Sequence, residues 1–291
     1  MPVIIAEIGC NHKGDMEIAH EMIKMAALFC KADVVKFQKR NPRALLTEAE
    51  YNTPHPNPMH SFGATYGEHR EFLEFDLEQH KQLQIWCKDW GIGYSSSVWD
   101  IDSARDIISL QPNMLKIPSA ANLDFEMMEY IAINFPGIIH ISFGMTTQKE
   151  EERIISFFDR FNRTKDVVIY HCVSGYPVPM DDVCLMEITR LKQAYGKKVK
   201  AIGFSGHHLG ISVDIGAMVL GAEYFERHFT LDRTWKGTDH AASLEPDGLR
   251  RLTRDLRAVD KTMKYKPKEI LDIELVQRKK LKRKIGEYDI K

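Results

Sequence analysis

The sequence predicts an α/β fold of a particular kind, a closed (β/α)8 TIM barrel, and three observations predict it. Short apolar, β-branched runs alternate with amphipathic stretches along most of the chain. The alternation gives eight strand-then-helix units of roughly 25 to 40 residues. At 291 residues the chain is also near the usual size of such a barrel. Alternation of this kind gives parallel strands joined by right-handed crossovers. A doubly wound open sheet is the alternative, because periodicity alone does not establish closure.

In chain order, the first strand is Val3–Ile8, followed by a helix over Asp15–Cys30. The second is Asp33–Gln38, with a long excursion before a helix over Leu77–Trp90. Ile92–Val98 is followed by a helix over Ile101–Leu110, and Met114–Ser119 by one over Phe125–Asn134. Gly137–Phe143 precedes a helix over Lys149–Phe161, and Val167–Val173 one over Val183–Tyr195. The last two strands open at Ala201 and Tyr224, with helices over Ile211–Gly221 and Pro246–Met263. The barrel is therefore expected over residues 1–264, and a polar tail or linker over 265–291.

Asn41–Glu74 breaks the rhythm. This loop is rich in Pro, Asn, His and Gly, and its SFGATYGEHREFLEF segment mixes aromatics with charges. Loops this long in a compact domain are usually functional or disordered, and the aromatics argue for a partly ordered lid.

A hydrophobic fraction of 44% can fill a sizeable core, and 28% charged residues suit a soluble surface. The formal net charge of −1 gives no bulk attraction to nucleic acid or to an anionic membrane. The basic run Arg278–Lys284 (RKKLKRK) reads as a solvated terminal segment. Five scattered cysteines form no C-x-x-C pair, which favours a reducing compartment over a disulfide framework. The N-terminus MPVIIAEIG lacks a basic segment followed by a long apolar one, and no apolar run reaches about 18 residues. A cytoplasmic protein with no membrane or nucleic-acid partner is expected.

In a barrel of this kind the C-terminal strand ends and the loops after them form the active face. That face reads Glu7, Asn11 and His12; Lys36 and Gln38; Ser95, Ser96 and Ser97; Lys116 and Ser119; Ser142; His171, Ser174 and Tyr176; Ser205 and His207; Glu226, His228 and Asp239. His207 and His228 fall at equivalent ends of neighbouring strands, where neutral imidazoles can share a divalent cation. Lys36 and Lys116 lie in strand-like apolar contexts, VVKFQ and LKIPS. With several hydroxyls they suit a small, multiply charged anion, or one of them a Schiff base. No P-loop and no G-x-G-x-x-G occurs, which argues against a nucleotide.

Eight ordered blocks then carry a resemblance: AEIGCNHKGD, VVKFQKR, TYGEHREFLEF, LKIPSA, ISFGMT, HCVSGYPVP, IGFSGHHLGI and FERHFTLDRTWKGTDHAASLEP. Together they resemble the sialic acid synthase family, which condenses phosphoenolpyruvate with an N-acyl-hexosamine such as N-acetylmannosamine or its 6-phosphate. The resemblance implies that His207 and His228 hold a divalent metal, manganese first, with magnesium or cobalt as alternatives. It implies that Lys36, Ser96, Lys116, Ser119, Ser174 and Ser205 hold phosphoenolpyruvate, with Ser96 and Ser174 standing where other members carry Thr or Asn. It places Glu7, Gln38, Tyr176, Glu226 and Asp239 around sugar and metal, and Glu7, Glu226 and Asp239 are the candidates for proton transfer.

The implied reaction joins carbon 3 of phosphoenolpyruvate to the aldehyde carbon. Water then adds at carbon 2, and phosphate leaves with C–O cleavage. Two departures from the family pattern stand out. Pro118-Ser119-Ala120-Ala121 replaces a Gly-Ser-Gly followed by an acidic residue, which leaves the acceptor sugar open. The family's C-terminal antifreeze-like domain, which reaches across a homodimer to the sugar, is not among the matching blocks. A separate polypeptide carrying it, a differently bound acceptor, or a shortened chain are the expectations. Whether the acceptor is phosphorylated stays open too, because Lys39, Arg40 and Arg70 can bind phosphate or be solvated. Another metal-dependent barrel aldolase or lyase, or a non-catalytic barrel subunit, are the alternative readings. The intact lysines and histidines speak against the non-catalytic one, since costly polar groups at a mouth need a use.

Overall fold

The computed structural model describes residues 1–282. Its eight strands are β1 (Val3–Gly9), β2 (Val34–Lys39), β3 (Gly93–Val98), β4 (Met114–Ile117), β5 (Ile138–Ser142), β6 (Val167–Cys172), β7 (Ala201–Gly206) and β8 (Tyr224–His228). They pair in parallel, in chain order, and β8 closes on β1, so the barrel is closed and the open-sheet alternative falls.

Residue parity sorts each strand into two faces. Outward residues such as Ile4, Val35, Phe37, Ile117, Ile139, Ile169, Phe204 and Phe225 join the helices in the main core. Inward, Ile5, Val34, Val168, Tyr170 and Ala201 pack a plug across the lower barrel. Gly203 is required in that plug, because a Cβ there would stand 2.5 Å from the Tyr170 ring. Above the plug the inward positions turn polar, and the site begins there.

Helix starts follow their caps. Asp15 accepts from the backbone of Glu17 and Ile18 to open Met16–Leu28. Asp76 with Gln79, and Thr147 with Glu150, form capping boxes on Leu77–Asp89 and Gln148–Arg160. Gly221, at φ 109°, ends Ser212–Leu220 in the left-handed conformation. β4 stops at Ile117, two residues short of the predicted Ser119, because Pro118 has no N–H to continue the ladder.

The predicted lid is folded. It holds helices Pro42–Leu45, Glu48–Asn52 and Tyr66–Phe72, with a 3-10 turn at Pro58–His60. Tyr51 lies against Gly67, where any Cβ would enter its ring, and its hydroxyl donates to Glu71 at 2.6 Å. Within the tail, Asp272–Leu281 is helical with no buried residue. Residues 283–291, including Arg283 and Lys284 of the basic run, lie outside the described residues. Among the described residues no helix is long and apolar enough to cross a membrane.

The helix Pro246–Thr262 seats the fully buried Leu249, Leu252 and Leu256 on the barrel. Leu252→Ala is expected to lower unfolding free energy by about 2–5 kcal/mol, read by urea denaturation.

Candidate active site

Twelve of the thirteen predicted site residues line one cavity of about 380 Å³ at the C-terminal mouth: Glu7, Lys36, Gln38, Lys116, Ser119, Ser174, Tyr176, Ser205, His207, Glu226, His228 and Asp239. Strand register explains the convergence, since Glu7 pairs with Lys36 on one side and His228 on the other, while Ser97 pairs with Lys116 and Ser205 with Glu226.

The floor is a buried charge network. The Lys36 ammonium lies 2.5 Å from the Glu7 carboxylate, 2.6 Å from the Ser97 hydroxyl and 3.8 Å from Glu226. Lys116 donates to Glu226 at 2.8 Å and sits 4.0 Å above the centre of the Tyr170 ring. Ser205 donates to the same Glu226 oxygen at 3.0 Å, and Gln38 donates to Glu7 at 3.0 Å. Burial disfavours the ionised form of Glu226, but Lys116 and Lys36 together outweigh it and hold the carboxyl below its usual range. Burial also opposes both ammoniums. Glu226 and Glu7 more than compensate at Lys36, whose pKa rises, whereas Lys116, repelled by Lys36, stays below its ordinary value. The two lysines share one carboxylate, and the set holds Glu226 ionised and Lys36 protonated.

Beside the floor, three hydroxyls gather. The backbone N–H of Gly144 donates to Ser119 at 3.0 Å. A Cβ on Gly144 would meet the Ser174 and Ser119 oxygens at 2.6 and 2.7 Å, so only glycine lets those hydroxyls approach each other. On the other flank, His207 donates from Nδ1 to the Val173 carbonyl at 2.8 Å, which turns the Nε2 lone pair toward the cavity. Burial first, then the neighbouring His228, lowers His207 to about 3, so the imidazole is neutral. The two rings lie 5.4 Å apart between centres, the Tyr176 ring lies tilted 4.3 Å from His207, and His228 Nδ1 is buried without a hydrogen-bond partner among the described residues, 3.9 Å from Asp239. Two imidazoles, the His207 ring neutral and the His228 ring with an unsatisfied nitrogen, fit a first-row divalent cation whose remaining positions stay open. Among the described residues no group of three or more His, Cys, Asp or Glu forms a fuller cage.

Ser96 is the correction. Tyr94, Ser96 and Val98 share the outward face of β3, and the Ser96 hydroxyl donates to its neighbour's carbonyl, while Ser97 lines the cavity. A run of three serines carries no hydrophobic alternation, so its parity is not legible alone. Four further strand-end residues also lie off the cavity, Ser95 among them, whose hydroxyl donates to the Met114 carbonyl. Asn11 ties Phe229 to Ser243, His12 stacks on Phe75, and His171 donates to the Val183 carbonyl.

The cavity also contains residues that sequence reasoning left unassigned, among them Cys10, Arg40, Arg70 and Cys172. Arg40 continues the inward parity of Lys36 and Gln38, a signal present in VVKFQKR, and it pairs with Glu74 at 2.5 Å. Burial pushes the Cys10 thiol up to about 11 even with Arg40 at 2.7 Å, so it is no thiolate. Lys39 points away, 3.7 Å from Asp106. Behind the mouth, Arg227 donates to the carbonyls of His208 and Gly210 and to Asp214, at 2.6, 2.9 and 2.5 Å. This wholly buried arginine thereby pins the loop that carries His207.

A floor of four buried charges has no structural use that an apolar layer would not serve better, which places the chain among the (β/α)8-barrel enzymes. Comparison with known proteins narrows the class. The chain belongs to the NeuB family, whose model matches residues 22–268. It is 35% identical over 278 residues to the human N-acetylneuraminate-9-phosphate synthase, covering 96% of this chain and 76% of that one. Against the N,N'-diacetyllegionaminic acid synthase of Campylobacter jejuni it is 32% identical over 262 residues, covering 90% and 77%. A crystal structure of the N-acetylneuraminic acid synthetase from Leptospira borgpetersenii, in complex with citrate, superposes with a TM-score of 0.80 at 29% identity, covering 98% of this chain and 94% of that one.

Buried neutral histidines set a pH dependence. Burial lowers His12, His80 and His140 to about 3 each. Unfolded histidines protonate near about 6.5. The unfolded state therefore binds protons first, and stability present above about pH 6.5 is lost as pH falls toward about 3. Urea midpoints should decline steadily from about pH 7 to about pH 4; a flat profile contradicts the burial assignment.

Proposed function

We propose that this chain condenses phosphoenolpyruvate with an N-acyl-hexosamine to form a sialic-type nonulosonic acid, releasing inorganic phosphate. The observation that carries the reading is the cradle itself, in which Lys36, Lys116 and the hydroxyls of Ser119, Ser174 and Ser205 converge beside the imidazoles of His207 and His228. The names of the human and Campylobacter relatives support it.

Lys36 and Lys116 exchange part of their carboxylate contact for the phosphate and carboxylate of phosphoenolpyruvate, and the three hydroxyls orient them. Glu226, held ionised, is a poor proton acceptor near neutral pH and acts by keeping both ammoniums charged and placed. Glu7, fixed by Gln38 and Lys36, faces the sugar and is the better-placed group for its hydroxyl proton. Held by His207 and His228, a divalent cation, manganese or else magnesium or cobalt, supplies Lewis-acid polarisation of the aldehyde oxygen. Asp239 places a carboxylate 3.9 Å from His228, and Tyr176 covers both imidazoles. As carbon 3 of phosphoenolpyruvate bonds to the aldehyde carbon and the ester C–O bond later breaks, the residues contribute positioning and a preorganised positive floor.

The exposed apolar side chains of Met145, Met180 and Leu209 lie on segments that follow β5, β6 and β7, and they suit coverage by another protein surface. A homodimer, and an antifreeze-like domain on a separate polypeptide, are the partners proposed. The five free cysteines accord with a cytoplasmic location.

Phosphate release should appear when phosphoenolpyruvate, manganese and a suitable N-acyl-hexosamine are combined, and disappear with a chelator. Metal binding without release on any sugar would sink the reading. Lys116→Ala is expected to lower kcat/KM by about a hundredfold or more. Gly144→Ala should raise KM for phosphoenolpyruvate about tenfold, because it forces the two hydroxyls apart. An unchanged KM would remove the hydroxyls from the anion site.

A further inference from the structure

We propose that Arg227, with Asp214 behind it, is a positioning residue that sets the separation of His207 and His228 and so the affinity of the chain for a divalent cation. The inference rests on the metal reading above and names the part of the molecule that holds the two imidazoles ready.

A cation at this place has two imidazoles to hold it, since no fuller cage forms among the described residues. Its affinity then depends on how well the pair is placed before it arrives. His228 is placed by its strand. It pairs with Glu7 across β1 and β8, and its carbonyl accepts from the Leu244 backbone at 2.8 Å. His207 has no such support, because β7 ends one residue earlier, at Gly206. The connection that carries it also contains Gly210, which adopts φ 82°. Two glycines around a pair of histidines make a loop that is costly to order.

One guanidinium orders it. Gly206 and Arg227 are register partners on β7 and β8, and strand parity turns Arg227 outward between the inward Glu226 and His228. Its Nη2 donates to the His208 carbonyl at 2.6 Å, and its Nη1 to the Gly210 carbonyl at 2.9 Å. Nη1 also donates to Asp214 at 2.5 Å, in the first turn of the helix Ser212–Leu220. The His208 Nε2 lies 3.1 Å from the same Nη1 and 3.2 Å from the Asp214 carboxylate. All three residues are at most 1% exposed. On the opposite side of the loop, the Val178 N–H donates to the His207 carbonyl at 3.0 Å. Arg227 thus bonds the loop of one imidazole and is the chain neighbour of the other.

Stability alone does not explain the pair, since apolar side chains of similar volume serve a core as well as a buried ion pair does. What apolar residues lack is the two bonds to loop carbonyls. Among side chains, the arginine fork has the donors to hold two carbonyls and a carboxylate together.

The test is titration of manganese alone into the full chain, with the free ion read by electron paramagnetic resonance. Arg227→Lys keeps the charge beside Asp214 and removes the fork; its Kd for manganese is expected to rise about tenfold or more. Asp214→Asn should shift Kd the same way by a smaller factor, and it carries the reading if Arg227→Lys does not fold. Leu252→Ala, destabilised on a different helix, should bind as the wild type does, which separates positioning from a general loss of stability. Manganese binding that His207→Ala abolishes and that both Arg227→Lys and Asp214→Asn leave unchanged would overturn this proposal alone. Equal weakening in Leu252→Ala would overturn it too. Binding that His207→Ala leaves intact, or no binding by the wild type, would overturn the metal reading and this proposal together.

Discussion

The ion network on the barrel floor is the constraint from which the rest of the site follows. Glu7, Lys36, Lys116 and Glu226 are each no more than 5% exposed. An isolated ion buried this far costs several kcal/mol, so each charge is tolerable only while its partner stays within hydrogen-bond reach. The four come from β1, β2, β4 and β8, strands that reach one another only when the sheet closes. Closure and charge pairing therefore depend on each other. The apolar plug below the network sets the height at which the inward face turns polar.

The same network accounts for the balance of the cavity. Glu7 and Glu226 hold both lysines in place before any anion arrives, and Lys36 stays protonated. That is preorganisation, in which positive charge is aimed at one place without the protein rearranging to provide it. Gly144 and Gly203 serve the arrangement by omission, one leaving room for the Ser119 and Ser174 hydroxyls and the other letting the Tyr170 ring lie beneath Lys116. The lid differs in kind. It is built from short capped helices.

Much of this was legible from residue order. The eight strand ends could be read because β-branched runs bounded by polar residues mark them. The convergence of Glu7, Lys36, Lys116, Glu226 and the two histidines follows from inward parity on a closed barrel. Legibility failed where the pattern carried no alternation. Ser95-Ser96-Ser97 offers identical side chains on both faces, and only pairing with Lys116 shows that Ser97 is inward. His171 looked like a mouth residue for the same reason, one position off parity on β6. The glycines that clear space could not be read at all, because their role lies in atoms contributed from elsewhere in the chain. Arg40 and Arg70 were visible as charges, but only the structure shows Arg40 paired with Glu74.

The central claim is that the floor holds phosphoenolpyruvate while His207 and His228 hold the metal beside it. A crystal structure with manganese and phosphoenolpyruvate bound, recorded with anomalous scattering, tests this most directly. The account predicts an anomalous peak within bonding distance of both imidazoles, and the phosphate and carboxylate resting on Lys36, Lys116 and the Ser119, Ser174 and Ser205 hydroxyls. Manganese bound elsewhere, or phosphoenolpyruvate seated away from the two lysines, would contradict it.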